Sequence, residues 1–69
     1  MDWRKEREIV AKYKFDIFSG TYNLLRQVMK VLDELEPKAT IKNKELYDEF
    51  YELKEYEKFV MKQYLNTNK

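Results

Sequence analysis

Apolar residues that recur every seven positions run through the first half of the chain and favour a helical fold. Trp3, Val10, Ile17, Leu24 and Val31 form one such row. The second row has alternating spacings of three and four residues and consists of Phe15, Phe18, Tyr22, Leu25, Met29 and Leu32. Both spacings are the period of packed α-helices, so the sequence predicts an all-α protein.

Ser19-Gly20-Thr21 lies in the middle of these rows and contains the only glycine of the chain. Glycine costs about 1 kcal/mol inside a helix, so this site is the natural place for a break. Both apolar rows nevertheless cross it without losing phase. The pattern therefore favours one continuous helix over about residues 3–35, with Gly20 facing a neighbouring helix, and the alternative is a three-helix bundle broken at residues 19–20.

Glu36-Pro37 ends this stretch, because a residue that precedes proline is disfavoured in the helical conformation. Residues 38–42 form the loop, and Thr40 or Asn43 can cap the next helix. That helix is expected over about residues 43–65. The result is a single helical domain, 1–69, built as an antiparallel hairpin.

A chain of 69 residues needs a supplement to its small core. The sequence has no cysteine and no histidine, which excludes disulfides and disfavours a metal site. Self-association is the remaining supplement. We therefore expect a homodimer that forms a four-helix bundle, with an interface made by the second apolar row: Phe15, Phe18, Tyr22, Leu25, Met29 and Leu32.

The second helix carries a glutamate where its apolar face predicts a buried residue. At 100° per residue, Glu57 lies at the centre of the face that contains Leu53 and Val60. We interpret it as a polar residue in the core that fixes the register of the helices. Three aromatic residues of the same helix point away from this face and are predicted to contact a partner: Tyr51, Tyr56 and Phe59.

Charge is unevenly distributed along the predicted hairpin. Its open end, residues 1–14 and 58–69, carries eight basic and three acidic residues, whereas the remainder is acidic. The basic residues of this end that we single out are Arg4, Lys5, Arg7, Lys12, Lys14, Lys58 and Lys62. This end is expected to meet opposite charge on a second copy or on an anionic partner.

The sequence contains no pattern typical of an enzyme. It offers no histidine for acid–base catalysis, no cysteine nucleophile and no glycine-rich phosphate loop, so we predict neither catalytic nor cofactor-binding nor metal residues. A small protein-interaction module is favoured, acting as an adaptor, inhibitor or regulator through an apolar and aromatic helical surface. The alternative is a nucleic-acid-binding regulator that uses the basic end.

Composition suggests the setting of such a module. No run of about 18 apolar residues is present, so no segment is expected to span a membrane and no membrane partner is predicted. No small-molecule substrate is predicted either. The absence of cysteine fits a cytoplasmic protein. The abundance of lysine, tyrosine and asparagine suggests an AT-rich genome such as that of a phage, an archaeal virus or a low-GC bacterium.

Overall fold

The computed structural model describes residues 2–67, and these residues form three α-helices and one short 3₁₀ turn. Helix α1 is Trp3–Tyr13, the 3₁₀ turn is Ile17–Ser19, helix α2 is Thr21–Leu35, and helix α3 is Lys44–Thr67. The predicted all-α class is confirmed. Within it, the chain adopts the alternative arrangement with three helices, although the break covers residues 14–20 and not only the predicted 19–20.

The predicted continuous helix over residues 3–35 is wrong, because α1 ends at Tyr13. Lys14 adopts a left-handed conformation, with φ of 56°. The amides of Lys14 and Phe15 both donate to the carbonyl of Val10. The two amides share this one carbonyl, and the left-handed residue turns the chain away from the helix axis. Phe15 consequently enters the core, where it is buried.

Hydrogen bonds centred on Asp16 hold the connection between α1 and α2. The Asp16 carboxylate accepts from the amide of Phe18 at 3.0 Å and so caps the 3₁₀ turn. The Gln27 side chain accepts from the Asp16 amide at 3.0 Å and donates to the Asp16 carbonyl at 3.4 Å. Gly20 then starts α2 with φ of 103°, a backbone conformation that is almost exclusive to glycine.

The length of this connection explains why the apolar rows kept their phase. It comprises residues 14–20, which is one heptad. A seven-residue interruption leaves the spacing of later apolar residues unchanged, although the helices on either side no longer share an axis. Preserved phase therefore did not distinguish a continuous helix from this break.

The remaining boundaries agree closely with those predicted. α2 ends at Leu35, immediately before Glu36-Pro37. The Asn43 side chain accepts a long hydrogen bond of 3.4 Å from the amide of Leu46, as expected of the residue before a helix. α3 continues two residues past the predicted end, to Thr67.

One hydrophobic core joins the three helices. α2 and α3 pack along each other, and the Tyr22 and Tyr64 rings, 5.8 Å apart, mark their antiparallel alignment. Four aromatic rings form consecutive stacked pairs beside this contact, with centroids 5.5–6.4 Å apart: Tyr13, Phe15, Tyr56 and Phe59. The buried residues of the core are Ile9, Phe15, Leu24, Leu25, Val28, Leu32, Leu53, Tyr56 and Val60.

The buried face of α3 is rotated from the predicted one. Tyr56, predicted to point outward, is fully buried, whereas Glu57, predicted at the centre of the core, lies at its margin with its carboxylate 3.8 Å from Lys54. The prediction assumed that only one helix packs against α3. Because α1 also contacts α3, the centre of the buried face moves to Leu53, Tyr56 and Val60.

The row predicted to form a dimer interface is divided between core and surface. Phe15, Leu25 and Leu32 are buried within the chain's own core, so they are not free to contact a second copy. The other three residues remain exposed, with Phe18 93%, Tyr22 54% and Met29 44% accessible. The six residues therefore do not form a single surface, because the break at residues 14–20 allows one chain to cover half of them.

Candidate protein-interaction surface

Two ion pairs hold α1 against the middle of α3. The Lys5 ammonium group lies 2.9 Å from the Glu52 carboxylate, and Lys12 pairs with Glu49. Hydrogen bonding to these glutamates raises the pKa of both lysines above the ordinary value. Ile9, between the two lysines in sequence, is buried in the core. α1 therefore turns one face to the core and leaves the opposite face open.

The predicted basic end is not assembled as one cationic surface. Lys5 and Lys12 lie beside α3 glutamates rather than beside Lys58 and Lys62. Lys58 is itself 3.6 Å from Glu55. Lys14 occupies the turn after α1, where its backbone conformation ends the helix. Since α1 is short and folded back, its cations do not extend along the end of α3.

The open side of α1 forms an apolar surface with two cations, which we call the Trp3 face. The indole of Trp3 is 60% exposed, and Ile17 is 45% exposed. Adjoining shallow grooves run along this side of the helix. The Trp3 face consists of Trp3, Arg4, Arg7, Val10, Ala11 and Ile17, and Glu6 and Glu8 also line its grooves.

Helical spacing accounts for this arrangement. Trp3, Arg7 and Ala11 follow one another at four-residue intervals and therefore lie on one side of α1. The guanidinium carbons of Arg4 and Arg7 lie 5.8 and 5.6 Å from the centroid of the Trp3 ring. These distances are within the range of a cation–π contact. The indole and the two guanidinium groups are thus presented together.

The residues predicted to contact a partner from α3 lie in different environments. Tyr51 is 60% exposed, Phe59 is partly buried against the core, and Tyr56 is inaccessible. Tyr47, one turn before Tyr51, is about half exposed. Tyr51 therefore belongs to a short exposed aromatic row with Tyr47, and not to a surface shared with Tyr56.

The heptad spacing placed Trp3 and Ile17 in the first apolar row and did not predict that they would be exposed together on one surface. A signal was present in the spacing of Arg4 and Arg7 around Trp3, which places cations on the side of the helix that carries the indole. Ala11 is a second signal, because a helix face that packs against a neighbouring helix usually carries large apolar residues, and Ala11 is small.

Within residues 2–67, no helix is long and apolar enough to cross a membrane. The same residues contain no group of three potential ligands that could hold a metal ion. Comparison of the chain with protein-family models, curated proteins and solved structures finds no match.

Proposed function

We propose that the protein is a small, non-enzymatic interaction module that binds a protein partner through the Trp3 face. The observation that supports this function is the exposed indole of Trp3 with two guanidinium groups beside it. Tryptophan and arginine are enriched among the residues that contribute most to protein–protein affinity. An adaptor, an inhibitor and a regulator would all use such a surface.

Trp3 and Ile17, the two large exposed apolar residues of the Trp3 face, do not contribute to the core. The nine buried residues form the core without Trp3 or Ile17. Burying a large apolar side chain contributes about 1.5–3 kcal/mol of favourable free energy, and the exposed part of Trp3 does not make this contribution to folding. A partner that covers the indole would gain it.

A capture experiment with matched variants tests this function. The full chain is immobilised and exposed to extract of its source organism, in parallel with Trp3→Ala/Ile17→Ser and with Tyr47→Ser/Tyr51→Ser as the control. We expect a specific partner to be lost with the first variant and retained with the second. Equal capture by the first variant and the wild type would contradict the proposal. Loss with the control alone would assign the contact to Tyr51, as the sequence predicted.

Nucleic-acid binding is the second candidate, because aromatic and arginine side chains together also suit a stacked base and a phosphate. Three of the seven singled-out cations, Lys5, Lys12 and Lys58, are already paired with glutamates. Two phosphate contacts, by Arg4 and Arg7, predict that fourfold more salt weakens duplex binding only about tenfold. Submicromolar binding of DNA or RNA at physiological salt, lost on Arg4→Glu/Arg7→Glu, would favour this candidate.

The homodimer also stays a prediction, supported now by the exposed side chains of Phe18, Tyr22 and Met29. A light-scattering mass of two chains at micromolar concentration would support it, and a mass of one chain would contradict it. The cytoplasmic location and the phage or viral origin stay predictions from composition.

A further inference from the structure

Arg4 and Arg7 differ from the other cations of α1 in having no acidic partner. Among residues 2–67, neither guanidinium forms an ion pair, whereas Lys5 and Lys12 of the same helix both do. The contact that holds each arginine is the one with the Trp3 ring. Their hydrogen-bond donors thus remain available to an anion, and arginine can donate to a carboxylate through two parallel bonds.

The groove that contains both arginines carries a net positive charge, whereas the adjoining groove, lined by Glu6 and Arg7, is neutral. One groove of the Trp3 face is lined by Trp3, Arg4, Arg7, Glu8 and Ala11, so that two cations stand against one carboxylate. Arg4 also lies in the first turn of α1, where the helix dipole disfavours positive charge. An incoming negative charge would relieve both effects.

An apolar depression adjoins the two arginines. Ala11 offers only a methyl group between Trp3 and Ile17, and Val10 forms part of the same groove. Glu6 also lines it, and this residue is partly buried rather than fully open to solvent. The depression therefore suits one or two apolar side chains, with acidic groups directed to the arginine side.

We infer that the Trp3 face takes an acidic amphipathic helical segment of the partner. This inference rests on the proposed function and adds the chemistry of the ligand. Arg4 and Arg7 are three residues apart on one helix, so carboxylates three or four residues apart on a second helix match their spacing. An apolar side chain of that segment lies over Ala11 and covers the indole of Trp3.

The balance of charge favours this ligand over a nucleic acid. Two unpaired arginines can bind two carboxylates, whereas tight binding to a phosphate backbone requires more than two contacts. The aliphatic groups of Ala11 and Ile17 also offer no stacking surface for a second base.

A displayed library of random peptides of about 16 residues, selected on the full-length protein, tests the inference. We expect the enriched peptides to combine large apolar residues with aspartate or glutamate at helical spacing. Trp3→Ala should weaken the best synthetic peptide by roughly thirtyfold, as for an interface residue of major effect. Arg4→Gln/Arg7→Gln should weaken it by roughly tenfold and make binding less sensitive to salt.

Glu8→Gln is the matched variant that distinguishes an effect of charge on peptide binding from a loss of folding. It removes the one carboxylate from the groove that contains both arginines. The same acidic peptide should therefore bind a few times more tightly. A circular dichroism spectrum equal to that of the wild type verifies that each variant is folded. Enrichment of peptides without acidic excess, or unchanged binding in both the arginine and the Glu8 variants, would overturn the inference, as would failure to enrich any peptide.

The outcomes also separate this inference from the function on which it rests. One outcome is capture of a native partner that is lost with Trp3→Ala but still binds Arg4→Gln/Arg7→Gln. That result would support the proposed function and contradict the acidic ligand. Tighter binding of single-stranded DNA than of the selected peptide would assign the face to nucleic acid. A mass that rises with concentration in the wild type and not in Trp3→Ala would assign it to a second copy. Both results overturn the inference.

Discussion

At the scale of single residues, Tyr56 combines complete burial with a polar group that has no hydrogen-bond partner. Its side chain is fully enclosed, and its hydroxyl oxygen makes no hydrogen bond of standard geometry within the described residues. Burial, together with the nearby Glu6 carboxylate, raises the pKa of Tyr56 to about 12. The ring stabilises the fold by packing in the core, whereas burial of the unpaired hydroxyl lowers the stability of the fold.

Replacement of Tyr56 by phenylalanine tests this division. The ring is retained and a buried unsatisfied donor is removed, so we expect the free energy of unfolding to rise by about 1 kcal/mol. Urea denaturation followed by circular dichroism measures it. A loss of stability would instead indicate that the hydroxyl is bonded to Glu6, and Glu6→Gln would then reproduce part of that loss.

The raised pKa of Tyr56 also predicts how stability depends on pH. The unfolded chain loses this proton near pH 10, whereas the folded chain retains it to about pH 12. The contribution of neutral Tyr56 is therefore complete below pH 10 and is lost as pH rises through that interval. Denaturation at several pH values should give a steeper decline for the wild type than for Tyr56→Phe. Parallel curves would contradict the prediction, since the lysines titrate equally in both proteins.

At the scale of elements, two residues with positive φ delimit the connection between α1 and α2. Lys14 closes α1 in a left-handed conformation, and Gly20 opens α2 in one that side chains rarely adopt. Their positions decide whether residues 3–35 form one helix or two. The reason for glycine at position 20 is therefore the backbone angle and not close packing, because an added Cβ would have no atom within 4 Å apart from those of its two chain neighbours.

Substitutions at the two positions should have opposite effects. Gly20→Ala forces an alanine into an unfavourable conformation and should lower the free energy of unfolding by about 1–3 kcal/mol. Lys14→Gly relieves the left-handed conformation and should raise it by up to about 1 kcal/mol. Chemical denaturation of both variants measures the difference. A stabilising Gly20→Ala would instead support the continuous helix.

The sequence predicted the elements better than the connection between α1 and α2. The Glu36-Pro37 stop and the Asn43 cap are local signals, and each is reproduced in the structure. The turn at residues 14–16 depends on Gln27, which is eleven residues from Asp16 and carries no local signature. Burial of Tyr56 depends likewise on where α1 packs. Local signals of helix ends were therefore predictable from the sequence, whereas the effects of contacts between distant residues were not.

At the scale of the whole molecule, α3 sets the length, α2 packs along it and α1 contacts its middle. The molecule is 41 Å long and about 20 Å across, and a helix of 24 residues accounts for most of that length. Because α1 folds back, its Ile9 and the following Phe15 add to the core that α2 and α3 form. The single chain thereby covers apolar surface that a hairpin would have left for a second copy.

This arrangement predicts different roles for two residues of α2 that the sequence placed in one interface. Leu25 is 6% exposed within the core, whereas Met29, one turn later, is 44% exposed. Leu25→Ala should lower the free energy of unfolding by about 2–5 kcal/mol, because it leaves a cavity. Met29→Ala should change it by less than about 1 kcal/mol, as expected for a partly exposed residue. Denaturation at low and high protein concentration measures both effects and detects association. A midpoint that rises with concentration, and a loss on Met29→Ala as large as that on Leu25→Ala, would show that Met29 is buried between copies of the chain.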